Sequence, residues 1–229
     1  MFSNTELDLA LALGLIAFTL HISAYILYAY HIFHERIRPN AASWFMWLIG
    51  GVIEYLTFDA IGESHWSTSA LPLACVIGLV IIFSATTYLQ LRAYFNPSTR
   101  KPISYHHPEK SDYALTIFDL GAGFSWLYWN IPGLANMVAV STTIISFIPI
   151  WKTTYLHNEE HPTPWILWSI AYLCMFGAVI VEGGEGLFFK LFYPGYYFLL
   201  HIVMVLLTLT YTRKNFIACI EIYKNFIKN

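Results

Sequence analysis

Charge is what this chain has least of. Asp, Glu, Lys and Arg make up 11% of its 229 residues, against roughly 25% in soluble domains. Hydrophobic residues reach 57%, and apolar runs of about 20 residues recur along the whole length. A soluble globular protein is excluded, and no polar stretch is long enough for a separate soluble domain. The net charge of −2 says little, because charge placement matters more than its sum here, and no nucleic-acid partner is expected. Cysteine is scarce as well. Cys75, Cys174 and Cys219 share no metal-ligand spacing, so the expected role is that of small buried hydrophobes. Met1 to Leu7 carries no Lys or Arg and includes Glu6, unlike a secretory signal, so the first apolar run is expected to be a retained membrane helix. No His-Glu-x-x-His occurs, and His201 has no histidine four residues away, which argues against an intramembrane zinc hydrolase. The last apolar run has no lysine to carry retinal. No metal or cofactor is expected.

What is present repeats. Trp44/Trp47 and Trp165/Trp168 form two Trp-x-x-Trp steps 121 residues apart, and Glu63/Glu185, Pro72/Pro194 and Arg92/Lys214 recur at 122. Tryptophan is rare, so the paired step points to an internal duplication. Paired repeats in a membrane place the working site between the copies.

Seven apolar runs follow one another: Leu7–Tyr30, Ser43–Asp59, Ala70–Tyr94, Tyr113–Trp129, Ile131–Trp151, Pro164–Val181 and Tyr193–Thr212. The fourth is short and holds Asp119, Gly121 and Gly123. Charge placement decides whether it spans. With seven spans, 11 of the 12 Lys and Arg lie on one side and only Lys190 on the other; with six, the split is 7 to 5. The positive-inside rule favours seven, with the N-terminus outside and the C-terminus cytoplasmic. The expected fold is therefore all-α and integral to the membrane. Residues 1–94 form one three-helix repeat, 95–130 a cytoplasmic linker and spacer helix, 131–212 a second repeat, and 213–229 an amphipathic tail. An odd spacer leaves the two repeats parallel. Duplication within one chain makes a homo-oligomer permissible but not required.

Polar groups at membrane depth are functional candidates. Glu54 lies ten residues beyond Trp44, about 15 Å into a core of roughly 30 Å. His201 lies about 12 Å from the outer face, and His21 slightly past the middle. The expectation is that Glu54, His21 and His201 meet at one depth and bind a solute or share a proton. Asn136 and Thr142, with neighbouring hydroxyls, are expected either to line the cavity opposite or to serve helix packing. The four repeat tryptophans either stack on a solute or anchor the inner interface. Pro149 is a gate candidate, because proline lets a helix bend. Asp59, Glu63, Glu182 and Glu185, with Gly183, Gly184 and Gly186, suggest an acidic outer mouth or a solvated loop.

The three-one-three layout resembles the PQ-loop and SWEET transporter superfamily. The residues that carry the resemblance are Arg38-Pro39-Asn40-Ala41-Ala42-Ser43-Trp44 followed by Trp47, and His161-Pro162-Thr163-Pro164-Trp165 followed by Trp168. Pro149-Ile150 keeps the proline of the family's Pro-Gln pair but not the glutamine, and Leu7–Tyr30 has no proline. The resemblance implies alternating-access transport of a small polar solute such as a sugar, amino acid or vitamin, with the inner prolines as gate. A branch of the wider fold binds peptide without moving it, so a receptor or sorting protein is the alternative.

Overall fold

Hydrocarbon offers backbone N–H and C=O groups no partner but one another, so an apolar chain that crosses it closes into helices. A computed structural model describes residues 4–34, 37, 41–61, 65–95, 110–157 and 160–228. Its elements are α1 (Asn4–Phe33), α2 (Ala41–Asp59), α3 (Trp66–Phe95), α4 (Lys110–Trp129), α5 (Pro132–Thr142), α6 (Ile144–His157), α7 (Pro162–Glu182) and α8 (Leu187–Lys228). Helices α5 and α6 continue one another, so the described residues form seven rods that coincide with the seven apolar runs. Five are long and apolar enough to cross a membrane: α1, α3, the α5–α6 rod, α7 and α8. Helices α2 and α4 fall short of that test, and α4 is the more polar of the two, with Lys110, Asp112 and Asp119.

Local signals set the boundaries. Asn130 takes a left-handed turn at φ 52°, and Pro132 then starts α5 with its ring in the first turn. His161 caps α7, accepting a bond on Nδ1 from the Thr163 N–H, ahead of Pro162. Helix α7 stops at Gly183, whose φ of 58° is one a side chain rarely adopts.

Helix α3 packs on both α1 and α2, and α8 packs on both α7 and the α5–α6 rod. Between these groups, α1 lies against α7 and α2 against α5, while α4 packs on α2, α5 and α6. Outward positions such as Leu15, Ile26, Leu173 and Leu206 are apolar and exposed, and the buried polar groups face inward.

The fifth run divides at Thr143, between α5 and α6, and Pro149 falls within α6. Two expectations need correction. The tail is no separate element, because α8 runs unbroken over 42 residues to Lys228; the side chains that would make it amphipathic lie outside the described residues. The acidic cluster is not exposed throughout: Asp59 and Glu185 are exposed, whereas Glu182 is not. Glu182 is buried, pairs with Lys190 Nζ at 3.1 Å and accepts bonds from Ser67 Oγ at 2.8 Å and Thr68 Oγ1 at 3.3 Å. A carboxylate at a helix end reads as solvated from sequence, but a lysine eight residues later folds back over it. Asp59 accepts from Ser69 Oγ, and Glu63 lies outside the described residues.

Candidate functional site

One cavity lies where the helix groups meet. It is walled by α1, α2, α3, α4, the α5–α6 junction, α7 and α8. The space open to the centre of a water molecule is about 50 Å³, room for a few waters.

Two carboxylates face it. Glu54 on α2 is 3% exposed and Asp119 on α4 is 1% exposed. Tyr197 Oη reaches both oxygens of Glu54 at 2.8 Å, its single proton shared between them. Thr143 Oγ1 lies 3.1 Å from Glu54 Oε1 and 3.1 Å from the same phenol. Thr143 stands where α5 gives way to α6, so the helix break presents its hydroxyl to the carboxylate. Asp119 rests against Gly50, where a side chain would otherwise begin, and its Oδ1 accepts from Thr142 Oγ1 at 3.4 Å. Gly50 and Glu54 are four residues apart on one face of α2, so the two carboxylates sit about one turn from each other along the helix. No lysine, arginine or histidine among the described residues forms an ion pair with either.

Next to the carboxylates, six aromatic side chains close a circuit. In order they are Trp44, Trp47, Phe147, Trp165, Trp168 and Tyr25. Successive ring centroids are 5.1, 5.8, 6.0, 5.0, 4.9 and 6.5 Å apart, the last closing Tyr25 onto Trp44. Three rings come from α1 and α2, and three from α6 and α7. Tyr28 touches Trp44, Trp165 and Trp168, and His201 touches Phe147, Trp165 and Trp168.

Most of the wall comes in pairs separated by 121 or 122 residues. Trp44/Trp165, Trp47/Trp168 and Gly51/Tyr172 lie 121 apart, and Tyr25/Phe147, Cys75/Tyr197 and Leu79/His201 lie 122 apart; all twelve line the cavity. Glu54 breaks the pattern, since Met175 stands 121 residues on. Asp119 has no counterpart, because it comes from α4.

Both ends of α7 are tied to other helices. At one end Glu182 joins Ser67 and Thr68 of α3 to Lys190 of α8. At the other, Glu160 accepts from Tyr28 Oη at 2.9 Å and from Trp165 Nε1 at 3.1 Å. His31 of α1 stacks on His161 at the same end, with centroids 4.1 Å apart.

The sequence candidates divide accordingly. Glu54, His201 and the four tryptophans line the cavity. His201 Nδ1 is 2.7 Å from the Tyr197 carbonyl oxygen, which holds the ring in place. His21 sits one layer back, edge-on to Tyr25 and Tyr172, and neither ring nitrogen has a partner. Asn136 does not line the cavity either. Its amide donates to the Glu54 carbonyl at 2.9 Å and to Thr57 Oγ1 at 3.0 Å, so it pins the turn of α2 that carries Glu54. Thr142 binds Asp119, and its neighbour Thr143 is the residue that reaches Glu54. The side chain of Pro149 lies outside the described residues. Of the tryptophans, Trp44, Trp165 and Trp168 are buried and Trp47 is half-buried.

Sequence reasoning missed Asp119, Tyr25, Tyr172 and Tyr197 as members of the site. Asp119 carried a usable signal, an acid inside an apolar run. Tyr197 lies four residues before His201 on one helix face, which would have found it. No family model, no curated protein and no solved structure matches the chain, so the functional reading rests on this geometry.

Proposed function

We propose that the chain is a seven-helix carrier that moves a small polar solute through this cavity by alternating access. In this reading α1–α3 and α5–α8 are two parallel repeats and α4 is the spacer. A pseudo-two-fold axis passes through the cavity along the membrane normal, with the N-terminus outside and the C-terminus cytoplasmic. The observation that carries the reading is the paired wall. A site lined by equivalent positions of two copies is what a duplicated carrier requires, because each copy moves against the other around it. The packing supports the same symmetry: α3 between α1 and α2 corresponds to α8 between the α5–α6 rod and α7, and α1 against α7 corresponds to α5 against α2. The ties at both ends of α7 cross between the copies. Glu54 and Asp119 are the binding groups, with Tyr197, Thr143 and Asn136 as positioning residues for Glu54.

The test is solute uptake into liposomes that contain the purified protein, with sugars, amino acids and vitamin precursors offered separately. Saturable uptake that Glu54→Gln reduces at least ten-fold supports a carrier. Specific binding without uptake overturns it in favour of a receptor on the same fold.

A further inference from the structure

We propose that the solute is an organic cation, whose charged group sits between Glu54 and Asp119 and whose body lies within the aromatic circuit. The inference deepens the carrier reading by naming a ligand class for the same cavity. Three observations carry it. Two carboxylates about one helical turn apart face one cavity, and no cation among the described residues pairs with either. A small cationic group there would meet charge-assisted partners on two sides. The remaining wall is largely aromatic, and the negative faces of such rings attract ammonium and other organic cations. Finally, the indole N–H groups of Trp47 and Trp168 have no acceptor, although Trp168 is only 2% exposed and both rings line the cavity. Buried donors without partners are rare. An acceptor oxygen on the body of the solute would satisfy them.

The asymmetry of the wall gives the ligand a direction. Both carboxylates lie on the α2–α4 side, whereas the position matching Glu54 in the other copy is Met175. A solute with one charged end and one polar, uncharged end fits this arrangement. An anion does not, because it would face two carboxylates without a cation. A neutral sugar would offer hydroxyl donors but no countercharge.

The test compares choline with its uncharged isostere 3,3-dimethylbutan-1-ol, and tetramethylammonium with benzyltrimethylammonium, on the full-length protein in detergent. Calorimetry and quenching of tryptophan fluorescence report binding. The expected result is that choline binds at least ten-fold more tightly than the isostere, that the aromatic ammonium exceeds tetramethylammonium, and that Glu54→Gln and Asp119→Asn each abolish the preference for charge. The wild-type comparison needs no variant, so a variant that fails to fold leaves the test intact. Equal or tighter binding of the isostere overturns the inference. Saturable uptake of a neutral solute with no cation binding also overturns it and leaves the carrier standing. Charge-selective binding without uptake supports the cation and overturns the carrier.

Discussion

The Tyr197 hydroxyl lies 2.8 Å from each carboxylate oxygen of Glu54, across 143 residues of chain and between helices α8 and α2. Tyr197 is itself held by its ring, which stacks on Tyr172 at 5.1 Å with an interplanar angle of 9°. Tyr197→Phe keeps that stack and deletes the donor. The lost bond is expected to cost about 1–3 kcal/mol, read as a lower melting temperature in detergent and as weaker solute binding.

Gly50 and Gly51 are adjacent, yet substitution should separate them. A Cβ at Gly50 would displace the Asp119 carboxylate, a short side chain with little room to yield. A Cβ at Gly51 would meet Leu79 Cδ1 at 2.6 Å, the far end of a side chain that can rotate away. Gly50→Ala should reduce uptake at least ten-fold, and Gly51→Ala by less than three-fold, with helix content by circular dichroism unchanged in both.

Lys190 and Glu182 form a buried pair with side-chain exposures of 2% and 4%. Removing one partner strands the other, at a cost of about 3–5 kcal/mol. Lys190→Met is therefore expected to destabilise the protein strongly. Adding Glu182→Gln to it should restore much of the loss. A double variant no more stable than Lys190→Met would show that the pair does not act as a unit.

Cys75 lines the cavity and is buried, with its sulfur 3.4 Å from the Tyr25 hydroxyl. It is a native reporter of opening. With Cys174 and Cys219 replaced by alanine, Cys75 should react slowly with small methanethiosulfonate reagents. Tyr28→Phe removes one hydrogen bond of the Glu160 tie and should speed that reaction several-fold. Unchanged labelling would show that this tie does not control access.

His21 has two ring nitrogens without partners in an aromatic layer behind the wall. Replacing an unsatisfied buried polar group by an apolar one is nearly neutral or stabilising. His21→Leu should keep binding and melting temperature within experimental error of the parent protein, whereas His201→Leu should weaken binding.

The rods were legible because they depend on a local signal, the length of each apolar run. Glu54 was legible for the same reason, as an acid ten residues inside an apolar run. The rest depended on rotation about helix axes. Successive residues on a helix point about 100° apart, so one position decides between Thr142, which holds Asp119, and Thr143, which holds Glu54. The same rotation turns Asn136 onto the backbone of α2. Depth placed His21 and His201 at one level, but depth says nothing of which layer a ring occupies. Glu182 was misread because its partners, Ser67 and Lys190, approach from two other helices.

The six-ring circuit behaves as an iris with two seams. Tyr25, Trp44 and Trp47 form one arc, and Phe147, Trp165 and Trp168 form the other. Among the described residues, Trp47–Phe147 and Trp168–Tyr25 join them directly, at 5.8 and 4.9 Å, and Tyr28 spans from Trp44 to Trp165 and Trp168. If each arc moves as a unit, parting the two seams opens the aperture without disturbing the rings within either arc. An aromatic pair contributes about 0.5–1.5 kcal/mol beyond its buried area, so the two direct seams contribute roughly 1–3 kcal/mol, to which the Tyr28 contacts and the Glu160 tie add. A barrier term of that size is within reach of thermal motion, and a ligand that prefers the parted arcs needs only a modest differential affinity to shift the population.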